Sequence, residues 1–249
     1  MKELKDYLPQ SVRNKNILIT GATTGIGRAT AVLLAQTGAN LMLVGRNPEH
    51  MKDALEAVSR EAQGKVYDVL ADLGTEEGIA DVFEVVDSQF SKIDVLINNV
   101  GLPFDSITDG AYRDWEYVVK TNLLSYMACS AEAIKRMKNK GHIVNIGSMS
   151  ADVREDSGSV YVATKAGVQA FSESLRKEIN PQGIKITLIE PGAVDTDMQE
   201  DSTEEKRKKI QNFEMLTSED IALSILYCLS QPERCDVVEL KIRPHRQFI

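Results

Sequence analysis

Two side chains four residues apart could together move a proton. Tyr161 and Lys165 lie in a stretch with helical periodicity, where an i, i+4 spacing puts both on one face. A free tyrosine titrates near pKa ~10, and a nearby ammonium lowers that pKa toward the range useful for acid–base catalysis. Ser148 follows the preceding predicted strand. Each residue alone is more often structural, so it is their combination that predicts general acid–base chemistry.

A glycine-rich turn is the second feature with chemical meaning. After the first predicted strand, residues 20–27 read Thr-Gly-Ala-Thr-Thr-Gly-Ile-Gly, and a helical pattern begins at once. Glycines let the backbone approach a pyrophosphate, whose charge lies against free N–H groups at the helix start. Glycines also end strands for structural reasons, but the strand-turn-helix context favours nucleotide binding. The turn residues predicted to bind are Gly21, Thr23, Thr24, Gly25, Ile26 and Gly27.

The residue after the second predicted strand indicates which dinucleotide binds. A site for NAD would place an Asp or Glu there, to accept a hydrogen bond from the ribose 2′-OH. This chain has Gly45 and Arg46 instead, and an arginine can pair bidentately with a 2′-phosphate. The alternative is an ordinary solvated loop charge. Because Arg46 follows the glycine turn, we expect the cofactor to be NADP (NADPH).

An alternation of short apolar runs and amphipathic stretches must position these residues. Strict alternation of strand and helix requires parallel pairing through right-handed crossovers. We therefore predict an α/β fold, a Rossmann-like doubly wound parallel sheet of about seven strands in a single domain, 1–249. The charged connection 194–216 is either a solvated surface helix or a substrate lid. Strands are predicted at 16–20, 41–44, 66–70, 95–98, 142–146, 185–189 and 237–242, and helices at 25–37, 51–62, 75–90, 114–137, 160–180 and 217–230.

Composition narrows the function classes. The net charge of −8 disfavours a nucleic acid as partner, and three cysteines and three histidines show no metal-ligand spacing. The N-terminus has no apolar signal region, and no run of eighteen apolar residues could cross a membrane. We expect a soluble, cytoplasmic protein without a metal site.

Together the motifs resemble the short-chain dehydrogenase/reductase family over essentially the whole chain. Any one motif is weak, but their number and order make the resemblance specific. Val100 replaces the family's usual alanine, and Gly147 its usual serine before Ser148. The landmarks are the turn at 20–27, Asp72, Asn98 to Gly101, Asn122, Ser148, Tyr161, Lys165, Pro191, Gly192, Val194 and Thr196.

The resemblance implies a hydride-transferring oxidoreductase and a role for each landmark. Tyr161 would exchange the proton at the substrate oxygen, Ser148 would donate a hydrogen bond to that oxygen, and Lys165 would lower the tyrosine pKa and hold the nicotinamide ribose. Asn122 would anchor a water that links Lys165 to solvent. The implied cofactor contacts are Asp72 and Leu73 at the adenine, Asn99, Val100 and Gly101 at the ribose, and Pro191, Gly192, Val194 and Thr196 at the nicotinamide.

The substrate has no motif of its own. The C-terminal sequence lacks the glycine-rich end of acyl-carrier ketoreductases, and the loops predicted to form the pocket, 103–107, 150–160 and the lid, are largely polar. We expect a small polar carbonyl compound and its alcohol. Arg154 could hold a substrate carboxylate, or it could be a solvated charge paired with its acidic neighbours. If bulky apolar ketones were preferred instead, Met198, Phe213, Met215 and Leu216 would have to point inward.

The sequence also bears on two other possible functions and on oligomerisation. A serine hydrolase would need G-x-S-x-G, which the sequence around Ser148 does not match. A non-catalytic dinucleotide-sensing protein on the same fold is the alternative, although all four catalytic residues are present. The long helices predicted at 114–137 and 160–180 are surfaces on which the family builds a homodimer or homotetramer.

Overall fold

A seven-stranded, fully parallel sheet organises the chain. The computed structural model describes residues 9–154, 158–199 and 201–247. The strand order is β3-β2-β1-β4-β5-β6-β7, so the direction of winding reverses between β1 and β4. This confirms the predicted doubly wound α/β fold. The strands are β1 Asn16–Thr20, β2 Asn40–Gly45, β3 Val66–Leu70, β4 Val95–Asn98, β5 Gly141–Ile146, β6 Ile184–Pro191 and β7 Glu239–Ile242.

The central strands are apolar on successive residues because helices cover both faces of the sheet. In β1, for example, Ile17 and Ile19 face one core cluster while Leu18 faces the other. Strands β3 and β7 lie at the two edges and are only partly buried. The core thus fixes the register of the inner strands, and the loops at their carboxyl ends are held at one edge.

Nine α-helices connect the strands or precede them within the described residues. Several start where the side chain of an N-cap residue accepts a hydrogen bond from the first turn, as Asn47, Thr75 and Thr217 do. The helices are α1 Gly25–Gln36, α2 Pro48–Glu61, α3 Glu76–Gln89, α4 Tyr112–Val119, α5 Ser125–Arg136, α6 Ser150–Val153, α7 Ser159–Ile179, α8 Thr203–Gln211 and α9 Ser218–Leu229.

The single helix predicted over 114–137 is interrupted. A π-helical turn, Lys120–Leu124, separates α4 from α5, and such turns often mark functional sites. The charged connection predicted as a lid contains a solvated helix, α8, with no buried residue. None of the helices in the described part of the chain is long and apolar enough to span a bilayer.

A buried polar network joins the sheet to two helices below the strand ends. Asn98 on β4 donates to Ser130 on α5 at 3.1 Å and to Asn145 on β5 at 2.9 Å. Asn145 in turn donates to Ser172 on α7 at 2.9 Å. All four side chains are buried. Their hydrogen bonds join β4, β5, α5 and α7 in one arrangement, although the Asn98 Oδ1 atom accepts no hydrogen bond from the described residues.

We predict that Asn145→Ala lowers the free energy of unfolding by about 1–3 kcal/mol for each buried group it leaves unpaired. The same substitution at the exposed Asn212 is the matched control and should change it by less than about 0.5 kcal/mol. Urea denaturation of both variants measures the difference. Equal losses at the two positions would mean that the network does not stabilise the sheet.

Candidate active site

A cavity of about 660 Å³ opens along the carboxyl ends of the strands, where the winding reverses. Open α/β sheets bind their ligands at this kind of position. Of the predicted site residues, Gly27 and Asn122 do not line the cavity. The others line it: Gly21, Thr23, Thr24, Gly25, Ile26, Arg46, Asp72, Leu73, Asn99, Val100, Gly101, Ser148, Tyr161, Lys165, Pro191, Gly192, Val194 and Thr196.

The turn between β1 and α1 requires its glycines. Gly21 and Gly25 have φ values of +61° and +49°, which L side chains rarely adopt. Gly27 has no room for a Cβ atom, which would overlap the carbonyl oxygen of Gly21. The Asn99 side chain donates to that same oxygen at 2.9 Å, so the end of β4 braces the turn. The first N–H groups of α1 therefore face the cavity and could hold a pyrophosphate.

Arg46 lies at the cavity mouth and interacts with two side chains there. Its guanidinium donates to the Tyr117 hydroxyl and lies 3.9 Å from the Asp72 carboxylate. Tyr117 donates to Asp72 at 2.9 Å, and its burial together with this acceptor raises the pKa of its phenol. Tyr117 could not be predicted from the sequence, because nothing in its spacing relates α4 to the ends of β2 and β3.

The proposed proton-transfer group lies at the other end of the cavity. Lys165 is 3% exposed, and its ammonium donates to the Ile146 carbonyl oxygen at 2.9 Å. The same nitrogen is 5.8 Å from the centre of the Tyr161 ring. Burial lowers the pKa of Lys165 to about 8. The i, i+4 spacing has therefore placed both side chains on one wall, as predicted.

The expected direction of the Tyr161 pKa is wrong for this structure. Burial raises the pKa of Tyr161, and a hydrogen bond with Ser148 only partly opposes that rise. The Lys165 ammonium is directed at the end of β5 rather than at the phenol oxygen, so it does not offset desolvation. At neutral pH Tyr161 is consequently a neutral phenol, which is the form that can donate a proton.

Asn122 occupies the centre of the π-helical turn. Its side-chain oxygen accepts from the Leu102 N–H at 2.8 Å, and its amide donates to the Leu102 carbonyl oxygen at 2.8 Å and to Thr164 at 3.3 Å. The residue thus fastens the loop after β4 to α7. Its side-chain contacts include Thr164, the neighbour of Lys165 in the chain.

The loop after β6 lies along the cavity beside the wall formed by Ser148, Tyr161 and Lys165. A Cβ atom at Gly25 would come within 3.0 Å of the Thr196 Cγ2 atom, so Thr196 lies close to the glycine turn. Lys206 of α8 donates to the Thr196 carbonyl oxygen at 2.8 Å. Gln247, near the C-terminus, accepts from the Ala193 N–H at 3.1 Å and also lines the cavity. No motif in the sequence pointed to Gln247.

The loops predicted to form the substrate pocket contribute only in part. Phe104, Val153 and Met198 line the cavity, whereas Phe213 is exposed. Arg154 is exposed, lies outside the cavity lining and donates to the Ala151 carbonyl oxygen at 3.3 Å. The hypothesis that Arg154 holds a substrate carboxylate thus finds no support here, because the side chain does not reach the cavity. Its acidic neighbours, residues 155–156, lie outside the described residues.

Comparison with known proteins relates this chain to one family. The family described as short chain dehydrogenase matches residues 15–207. An uncharacterized oxidoreductase of Staphylococcus epidermidis is 34% identical over 236 residues, covering 94% of this chain and 98% of that protein. A short-chain dehydrogenase/reductase of Serratia marcescens has a TM-score of 0.83 at 26% identity, covering 94% of this chain and 98% of its own. L-Sorbose reductase of Gluconobacter frateurii, solved with NADPH and L-sorbose, shares the fold with a TM-score of 0.85 at 22% identity, over 95% and 98% of the two chains.

We predict that Lys165→Met stabilises the protein at pH 7. One pKa unit corresponds to ~1.36 kcal/mol, so the shift from 10.5 to about 8 limits the gain in the free energy of unfolding to ~3 kcal/mol. The hydrogen bond lost with the ammonium reduces this gain by about 1 kcal/mol. Because the folded-state pKa is the lower one, the penalty is complete below pH 8 and disappears as the pH approaches 10.5. The gain should therefore shrink between pH 7 and pH 10.

Urea denaturation at the two pH values measures this change. The matched control is Lys177→Met, on the same helix with an exposed side chain, and it should change the unfolding free energy by less than about 0.5 kcal/mol. If Lys165→Met is less stable than wild type at pH 7, burial of the ammonium does not destabilise the folded protein and the assignment is wrong.

Proposed function

Because this chain belongs to the short-chain dehydrogenase/reductase family and is an oxidoreductase, we propose that it interconverts a small carbonyl compound and its alcohol with NADP(H). The observation that carries the proposal is that one cavity holds both a glycine cradle and the Ser148, Tyr161 and Lys165 wall. Neither part alone would specify this chemistry. A dinucleotide fits the first part, and a proton donor for a carbonyl oxygen fits the second.

The cradle and the cavity mouth fit NADP(H). The N–H groups after Gly25 would hold the pyrophosphate, and Arg46 would hold the 2′-phosphate, with Asn47 and His50 beside it in the lining. No carboxylate directly follows β2 to repel that phosphate. The cofactor supplies the hydride at its nicotinamide ring. L-Sorbose reductase, with the same fold, holds NADPH in its own structure.

The proton chemistry rests on Tyr161. Its neutral phenol would donate the proton to the substrate oxygen, and Ser148 would donate a hydrogen bond that orients the same oxygen. The Lys165 nitrogen would lie 5.8 Å from the centre of the ring that carries this phenol. Asn122 keeps the Leu102 loop and α7 in place around this pair.

The substrate is proposed to be small. The lining combines apolar side chains with polar groups of the same loops, Asp105, Ser150 and Gln199. A mixed lining of this kind suits a compact polar carbonyl compound better than a large apolar one. A non-catalytic dinucleotide sensor would need the cradle but not the buried lysine beside a tyrosine, so the energetic cost of burying Lys165 favours the enzyme.

Assembly and location are part of the proposal. Val119, Leu124 and Met127 leave apolar area exposed on α4, α5 and the turn between them, which suits a homodimer or homotetramer. The free thiols of Cys129, Cys228 and Cys235 suit the reducing cytoplasm.

An assay of a panel of aldehydes, ketones, 3-oxo acids and diketones tests the function, with turnover measured as the oxidation of NADPH. We predict turnover of at least one small polar member, and a loss of ~10²- to 10⁴-fold or more in Tyr161→Phe, because the transferable proton is gone while the ring still fills its place. NADPH affinity should stay nearly unchanged. Tyr227→Phe, at an exposed site on α9, is the control and should turn over normally. Wild-type turnover in Tyr161→Phe would refute the assigned role.

Cofactor preference gives a separate prediction. Arg46→Ala should weaken NADPH binding by about 10- to 100-fold and NADH binding much less, since charge-assisted hydrogen bonds contribute ~1.5–3 kcal/mol. Fluorescence titration of both nucleotides measures the ratio. Arg60→Ala removes an exposed charge from the other end of α2 and should leave the ratio unchanged. An unchanged ratio in Arg46→Ala would show that other residues read the 2′-phosphate.

A further inference from the structure

Glu190 is a buried carboxyl that the proposed chemistry does not use. It lies on β6 directly before Pro191, and its side chain is 0% exposed. Neither carboxyl oxygen has a hydrogen-bond partner among the described residues. The Lys241 ammonium, on β7, lies 3.5 Å from Oε2. A charged carboxylate in this place would be poorly compensated.

The segment after β5 packs closely against Glu190. A Cβ on Gly147 would come within 3.1 Å of the Glu190 Cγ, so the glycine before Ser148 makes room for the glutamate. Gly147 and Met149 donate backbone hydrogen bonds to Ile189 and Pro191, on either side of Glu190. The carboxyl is therefore held directly behind the strand ends that carry Ser148 and Pro191.

Lys241 connects this carboxyl to the substrate side of the cavity. Its ammonium donates to Asp152 on α6 and lies 3.0 Å from Glu239 on its own strand. Asp152 also accepts from Gln169 on α7 at 3.0 Å. Residues of α6, Ser150 and Val153, line the cavity. The Lys241 ammonium thus lies beside three carboxyl groups. Through Asp152 it joins α6 to β7, and the bond from Gln169 joins the same carboxylate to α7.

We propose that Glu190 is a positioning residue, whose carboxyl must stay uncharged for Lys241 to hold α6 in place along the cavity. Ionised Glu190 competes with Asp152 for the same ammonium, and the link from β7 to α6 weakens. The consequence for substrate binding rests on the proposed function. The change in α6 itself does not.

The charges around Glu190 place this change near neutral pH. The pKa of Glu190 is raised to about 7, chiefly by burial; Lys241 opposes the rise, while Asp152 on α6 and Glu239 on β7 add to it. Besides Lys241, Arg154, directly after α6, lowers the pKa of Asp152, whereas Gly147, directly after β5, and Gln169 on α7 carry no charge. The native protein loses the Glu190 proton near pH 7, whereas an unfolded glutamate loses it near 4.5. Protonated Glu190 therefore contributes its full stabilisation to the folded protein below pH 4.5, and this stabilisation is lost as the pH rises toward 7.

Glu190→Gln keeps the uncharged shape at every pH and is the main test variant. Its melting temperature relative to wild type should rise by about 5 °C between pH 5 and pH 8. Hydrogen exchange in the peptide over 149–154, compared at equal pH, should match wild type at pH 6 and be severalfold slower than wild type at pH 8. Glu239→Gln removes an exposed carboxylate from the same lysine and should keep a pH dependence, with its midpoint moved to slightly lower pH because Glu239 raises the pKa of Glu190.

Kinetics add a readout that general destabilisation would not move. With the best compound of the panel, wild-type KM should increase from pH 6 to pH 8 with a smaller change in kcat, and Glu190→Gln should abolish the increase. If the panel yields no substrate, the proposed function fails while melting and exchange still test Glu190. Lys241→Met, which removes the link outright, should speed exchange over 149–154 already at pH 6.

Several outcomes would overturn the proposal. A constant difference between Glu190→Gln and wild type from pH 5 to pH 8 would reduce Glu190 to a packing role. Loss of the pH dependence in Glu239→Gln would assign it to that group instead. Wild-type exchange over 149–154 in Lys241→Met at pH 6 would show that α6 does not depend on the lysine, and this variant decides the question if Glu190→Gln does not fold.

Discussion

The burial of one ammonium group is the constraint on which the site depends. Lys165 is a cation at 3% exposure that donates to a backbone carbonyl oxygen, Ile146 O, at 2.9 Å. Desolvation lowers its pKa to about 8, so the fold must compensate a charge that water would otherwise hold. The Tyr126 ring, 5.5 Å from the ammonium, contributes a cation–π contact. Its hydroxyl also donates to Ile146 O and Val100 O, at 3.1 and 3.0 Å.

This arrangement is possible only where several strands end together. The carbonyl that holds Lys165 belongs to the last residue of β5, and the loop after β4 is tied to α7 through Asn122. Beneath them, the Asn98 and Asn145 network fixes the distance between the strands and α7. On the far side of the winding reversal, the same edge carries the glycine turn. Parallel strands therefore bring a cradle and a proton donor into one cavity although they are far apart in the chain.

Sequence reasoning reached the element order and the residues that share the cavity, because glycine spacing and hydrophobic periodicity are local signals. It missed what depends on contacts between distant segments. Tyr117 on α4 meets Arg46 and Asp72, which follow β2 and β3, and Glu190 on β6 meets Lys241 on the neighbouring strand β7. The Tyr161 pKa had the wrong expected direction for the same reason, since spacing reports that a lysine is near but not how much water is lost. The π-helical turn at Asn122 likewise interrupts a stretch whose pattern predicts one continuous helix.

Burial sets the charges of both side chains: it raises the pKa of the Tyr161 phenol and lowers the pKa of the Lys165 ammonium to about 8. Carbon-13 NMR on protein labelled at tyrosine Cζ and lysine Cε measures both titrations directly, with Tyr161→Phe and Lys165→Met assigning the two signals. We expect Lys165 to titrate near pH 8 while Tyr161 stays a phenol through that range. A Tyr161 that ionises at or below pH 8 beside a permanently charged Lys165 would contradict this expectation.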